Sequence, residues 1–137
     1  MKKLILVLSL LIMGNTVLHA SEMAKPKAEL YFISPTDGQT AQNPVVIRFG
    51  LKNMGVAPAG SNIENTGHHH LLIDTGLPAL DLPIPSDKNH RHFGGGQTET
   101  SLELSPGTHT LQLLLGDFSH IPHKPTVLSA PITITVE

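Results

Sequence analysis

An all-β fold is what this sequence predicts, and three observations predict it. Apolar residues recur at every second position in several segments, the pattern of half-buried antiparallel strands. The 12 Gly and 11 Pro fall mostly between those segments, where a chain must turn. No stretch beyond the N-terminus carries helical periodicity. A chain of 137 residues, less an expected export signal of 20, leaves 117, enough for one hydrophobic core and not for two. Together these point to an immunoglobulin-like antiparallel β-sandwich of about six to seven strands, with a small barrel as the alternative.

The elements follow in order. Lys2 and Lys3 precede an apolar run from Leu4 to Met13, and a small residue, Ala20, ends the segment. A basic start, a short apolar stretch and a small residue describe a secretory signal peptide over residues 1–20. The apolar run is shorter than the roughly 20 residues a membrane span requires. Residues 21–27 read as a flexible tail and 28–137 as one sandwich domain. Ala28 to Ser34 is the first strand, stopped by Ser34-Pro35-Thr36-Asp37-Gly38. Val45, Ile47, Phe49 and Leu51 alternate with Val46, Arg48 and Gly50 in the second. His68 to Asp74 forms a third. Thr100, Leu102 and Leu104 mark a fourth, and Ser105-Pro106-Gly107 turns it into a fifth that carries Leu111, Leu113 and Leu115. Ile132, Ile134 and Val136 close the chain. Three long connections remain, 52–67, 75–96 and 116–130. Loops of that length inside a compact domain are usually functional or disordered.

Composition excludes several classes. Without any Cys there can be no disulfide, iron–sulfur cluster, covalent c-type haem or blue-copper site. No Trp and a single Tyr leave little to stack on sugars or bases. Loss of Lys2 and Lys3 leaves 7 basic against 11 acidic residues, which gives nucleic acid no electrostatic footprint. No Gly-x-Ser-x-Gly elbow appears, and nothing in the sequence gathers a pair of carboxylates.

What the composition adds is nine His. His19 lies in the signal. His109 is in phase with Leu111, Leu113 and Leu115, so it faces the core and takes a hydrogen bond there. His68 and His70 share one face of their strand, and His69 takes the other. Such an H-x-H pair can give two imidazoles to one metal, or can merely line a polar surface. His90 and His92 form a second H-x-H in a loop, followed by Gly94-Gly95-Gly96, which let the backbone approach a ligand closely. His120 and His123 flank Pro122 in Gly116-Asp117-Phe118-Ser119-His120-Ile121-Pro122-His123. There Asp117 either orients an imidazole or caps its own turn.

The candidate metal ligands are therefore His68, His70, His90, His92, His120 and His123. If the third, fourth and fifth strands form a meander, the loops 75–96 and 116–130 leave one end of the sandwich together. His90, His92, His120 and His123 then meet there. His68 would lie about 20 Å away along its strand, unless a loop folds back along the sheet. One composite site or two separate ones are both open. Imidazole suits Cu(II) and Zn(II), whereas Cu(I) wants Cys or Met, and only Met23 and Met54 lie beyond the signal. No organic cofactor is implied.

Several of these segments resemble a known family. They are Phe49-Gly50-Leu51, Gly67-His68-His69-His70-Leu71-Leu72-Ile73-Asp74, His92-Phe93-Gly94-Gly95-Gly96-Gln97-Thr98-Glu99, Pro106-Gly107-Thr108-His109-Thr110-Leu111-Gln112-Leu113 and Gly116 to His123. The chain from about Arg48 onward is similar to the bacterial family catalogued as domain of unknown function 4399. The resemblance implies a small exported protein and brings no established activity, so no catalytic roles follow from it.

Three functions are compatible with these readings. The first is a periplasmic protein that binds or handles a divalent metal, Cu or Zn, without catalysis. The second is an envelope interaction module that binds a protein or glycan partner without metal. It would use the Pro-stiffened run Leu77 to Pro85, which otherwise packs over the sandwich edge. The third is a metal-dependent hydrolase, which requires an open coordination position and a general base, with Glu99 or Asp117 the nearest acids.

Overall fold

A computed structural model describes residues 24–137, so the expected signal peptide lies outside the described residues. Among the described residues nine strands fold into two sheets: β1 (Glu29–Ser34), β2 (Thr40–Ala41), β3 (Val45–Lys52), β4 (Gly55–Val56), β5 (Thr66–Ile73), β6 (His90–His92), β7 (Glu99–Leu102), β8 (Gly107–Gly116) and β9 (Ile132–Val136). The first sheet has the order β1-β3-β7, and the second the order β2-β9-β8-β5-β4, with β6 also on β5. The fold is the expected all-β, immunoglobulin-like sandwich. Its long pairings are antiparallel, and two short parallel ladders, β2 with β9 and β4 with β5, finish the edges of the second sheet. Among the described residues no helix is long and apolar enough to cross a membrane.

The period-two residues do what the alternation requires. Leu30, Val45, Ile47 and Phe49 of the first sheet meet Leu71, Ile73, Leu111, Leu113, Leu115 and Ile134 of the second in one buried core. Arg48 and Glu99, on the outer face of the first sheet, pair across β3 and β7 at 3.1 Å.

The second sheet departs from simple alternation. Strand β5 is buried on both faces. Its inner face presents Leu71 and Ile73 to the core. Its outer face is roofed by the 74–89 loop, whose Ile84 packs with Leu72 and Leu114 in a second small core. The Pro-rich run thus covers a sheet face rather than an edge, leaving Leu77 and Leu82 exposed.

The meander is corrected. Strand β7 crosses to the first sheet and pairs with β3, so β5 and β8 are direct antiparallel neighbours, with His68 opposite Gly116 and Ile73 opposite Leu111. The 75–96 and 116–130 loops therefore leave from opposite ends. The physical reason is that hydrophobic alternation fixes which face of a strand is buried, but carries no information about its neighbour. Two consequences place the site. His68 stands at the end where the chain leaves β8, and β6 folds back along the side of β5 away from β8, beyond the short β4 pairing, to set His92 opposite His70.

Candidate metal centre

Residues directly opposite in an antiparallel pair share a face. His68 and His70 of β5 and His92 of β6 therefore all project from the outer face of the second sheet. The Nε2 atoms of His68 and His70 lie 3.0 Å apart, and the His92 ring is centred 5.0 Å from each of theirs. One ligand nitrogen from each of the three lies within 4.8 Å of the other two.

A fourth ring comes from the segment after β8. Asp117 Oδ1 accepts hydrogen bonds from the backbone N–H groups of Ser119 (2.8 Å) and Ile121 (2.9 Å). The His120 N–H donates to the Asp117 carbonyl at 2.9 Å. This tight turn places His120 in the left-handed region, φ 67°, with its ring centred 4.7 Å from His92 and 5.0 Å from His68. Of the two roles open to Asp117, the structure shows the turn-capping one. The His120 carbonyl accepts from Ile84 N–H at 2.8 Å, which ties the turn to the loop roofing β5.

Glycines make room for the rings. A Cβ on Gly94 would stand 2.3 Å from the His92 ring, and one on Gly116 would stand 3.0 Å from His70 Nε2. Neither contact is legible from the sequence: the first depends on how the chain turns after β6, and the second on β8 lying beside β5.

The rings of His68, His70 and His92 are held toward the neutral form. Burial first, and then the repulsion of neighbouring imidazoles, pushes His68 down to about 4 and His70 down to about 3. Burial and His120 depress His92 as well. A neutral imidazole is the form that binds a metal. Protein groups leave capacity unused here: His68 Nδ1, His70 Nδ1 and His92 Nε2 are buried without a hydrogen-bond partner, which is costly unless something else satisfies them.

The remaining His lie elsewhere, so the expected meeting of His90, His92, His120 and His123 is corrected. His90 is on the same face but opposite Leu72, and its Nδ1 pairs with Asp87 Oδ1 at 3.0 Å. His123 turns toward the start of β5, its Nε2 2.7 Å from where a Gly67 Cβ would be. Both are set apart because their loops are pinned locally, by Asp87 and by the bridge between Gly116 and Pro122. His68, thought remote, belongs to the cluster. His69 faces inward, its ring 5.1 Å from that of Phe49. His109 is buried as expected, with Nδ1 2.7 Å from Asp74 Oδ2 and Nε2 2.8 Å from the Ser105 carbonyl.

Three atoms mutually within 4.8 Å share a point no more than about 2.8 Å from each, so shifts of roughly 0.8 Å reach the ~2.0 Å of a metal–imidazole bond. The 3.0 Å between His68 and His70 Nε2 lies between the ~2.9 Å of such ligands at a right angle and the ~3.3 Å of tetrahedral ones.

Comparison with known proteins adds the following. The family model described as Domain of unknown function (DUF4399) matches residues 47–137. A solved structure of fibronectin(III)-like modules of Clostridium thermocellum CbhA is similar in fold at 12% identity with a TM-score of 0.39, covering 80% of this chain. The chain spans 45% of the length of that structure. No curated protein sequence matches.

Proposed function

Because this chain belongs to the DUF4399 family, which brings no activity with it, function has to be read from the His cluster, and we propose that the protein binds one divalent metal ion, Cu(II) or Zn(II), through His68, His70 and His92. The observation that carries this is the approach of three imidazole nitrogens within 4.8 Å of one another on a single sheet face. Two of the ligands are fully buried and neutral, and glycines accommodate the rings. Lack of Cys keeps the preference with imidazole-loving divalent ions over Cu(I).

The role is binding or handling rather than hydrolysis. Glu99 is engaged with Arg48 on the other sheet, and Asp117 is engaged by its own turn, so neither acid is placed as a general base over the cluster. The basic start and apolar run at Lys2 to Met13 support export to the periplasm. Fractionation and N-terminal sequencing of the mature chain test that part.

Calorimetric titration of the metal-free protein with Cu(II), Zn(II) and Ni(II) tests the binding itself. One equivalent should bind to the wild type, and the His68→Ala/His70→Ala variant should lose it. Equal binding by both proteins would refute the assignment. The exposed Leu77 and Leu82 on the Pro-rich loop favour a second reading, contact with an envelope protein. Capture of such a partner that persists in a chelator would support it.

A further inference from the structure

His120 stands beside the three-nitrogen set without belonging to it. Its ring is T-shaped to both His68 and His70, at 80° in each case. Among the described residues its nitrogens have no hydrogen-bond partner. Its backbone is at φ 67°, a conformation glycine adopts freely and a residue with a Cβ resists. A strained backbone persists where the surroundings impose it, and such positions cluster at ligand clamps. The Asp117 turn imposes this one, and its result is to hold an imidazole over the cluster.

We propose that His120 is the closing ligand of the metal site, completing a four-imidazole shell around an ion first held by His68, His70 and His92. This rests on the three-His site proposed above. Four protein ligands would leave a tetrahedral ion no open position, the arrangement of structural and carrier sites rather than catalytic ones. The bond from Ile84 N–H to the His120 carbonyl makes closure felt in the loop that roofs β5. Metal loading therefore firms the 74–89 segment.

The test compares wild type, His120→Gly and His120→Asn, each loaded with Co(II) as a coloured stand-in for Zn(II). Glycine and asparagine both tolerate the left-handed backbone, so the turn survives. The wild type should take up one equivalent with a spectrum indifferent to added azide. Each variant should still take up one equivalent, at least tenfold more weakly, with a spectrum that azide shifts and that free imidazole restores toward the wild type. The metal-free His120→Gly protein should melt no lower than the wild type, because the strain is relieved. Amide exchange at Ile84 should slow on metal loading in the wild type and not in the variants. Wild-type affinity in both variants, or a wild-type spectrum that azide already shifts, would overturn the closing role while leaving the three-His site standing. Failure of the wild type to take up Co(II), Zn(II) or Cu(II) would overturn both.

Discussion

Gly116 of β8 and His70 of β5 fit against one another: a Cβ at position 116 would lie 3.0 Å from His70 Nε2. The glycine is on the outer face, at the last position of β8, and the neighbouring strand aims a ligand nitrogen at it. Gly116→Ala should therefore displace His70 by a few tenths of an ångström. Gly94→Ala should do more harm, since its Cβ would meet the His92 ring at 2.3 Å. The expected order of metal affinity is wild type, then Gly116→Ala, then Gly94→Ala, the last weaker than wild type by at least about tenfold, or ~1.4 kcal/mol. Gly76→Ala, which meets nothing within 4 Å, is the control. Calorimetric affinities that do not follow this order would contradict the packing described.

The depressed imidazoles make the metal-free protein acid-sensitive. In the unfolded chain these rings titrate near 6.5, but in the fold His68 and His69 are pushed down to about 4 and His70 to about 3, with burial the largest cause for each. Between those values the unfolded chain binds more protons than the folded one, so stability falls as pH falls from about 6.5 toward 4. Melting temperature measured in chelator should drop across that window. In a His68→Gln/His70→Gln variant it should drop less steeply. Parallel curves for the two proteins would be inconsistent with neutral rings.

His109 has the opposite sign. Burial alone would lower it, but the bonds to the Ser105 carbonyl and the Asp74 carboxylate outweigh burial and hold it above the usual range. Its ion pair with Asp74 is fully stabilising below pH 6.5 and is lost as pH rises through the raised value. Asp74 is 42% exposed, so solvent screening keeps the contribution within about 1 kcal/mol. The stability gap between wild type and Asp74→Asn should be wider at pH 6 than at pH 8.5, as read by chemical denaturation at the two values.

Ile84 anchors the loop over the site. It packs with Leu72 and Leu114 in a small cluster apart from the main core, so Ile84→Ala should cost about 2 kcal/mol, the low end for such truncations. The loss should be local. Limited proteolysis should cut the variant between residues 77 and 89 faster than the wild type, with the 107–116 strand still protected.

The sequence made the strands legible and their arrangement not. Val45 to Leu51 and Ile132 to Val136 announce themselves because each has one wet and one dry face. The two-residue strands β2 and β4 are too short to show any period. His90 to His92 reads as a loop because it is an edge segment without apolar alternation. That missing strand is what carries His92 to His70, so the site could be assembled only in part. The shared face of His68 and His70 follows from period two alone. Their union with His92 depends on β6 folding back onto β5, and that with His120 on the crossing of β7 to the other sheet, which leaves β8 beside β5 and brings the Asp117 turn over His68. His90 and His123 carry the same residue type at the same kind of spacing, but register sets His90 opposite Leu72 and Asp87 holds its ring, while the Gly116–Pro122 bridge pins the loop of His123.

X-ray absorption at the metal edge, on protein loaded with one equivalent of Cu(II) or Zn(II), tests the three-His assignment most directly. The geometry predicts a first shell of nitrogen at ~2.0 Å with the outer-shell scattering of at least three imidazoles, reduced by one imidazole in His92→Ala. A shell with no more than one imidazole, or one unchanged by His92→Ala, would contradict it.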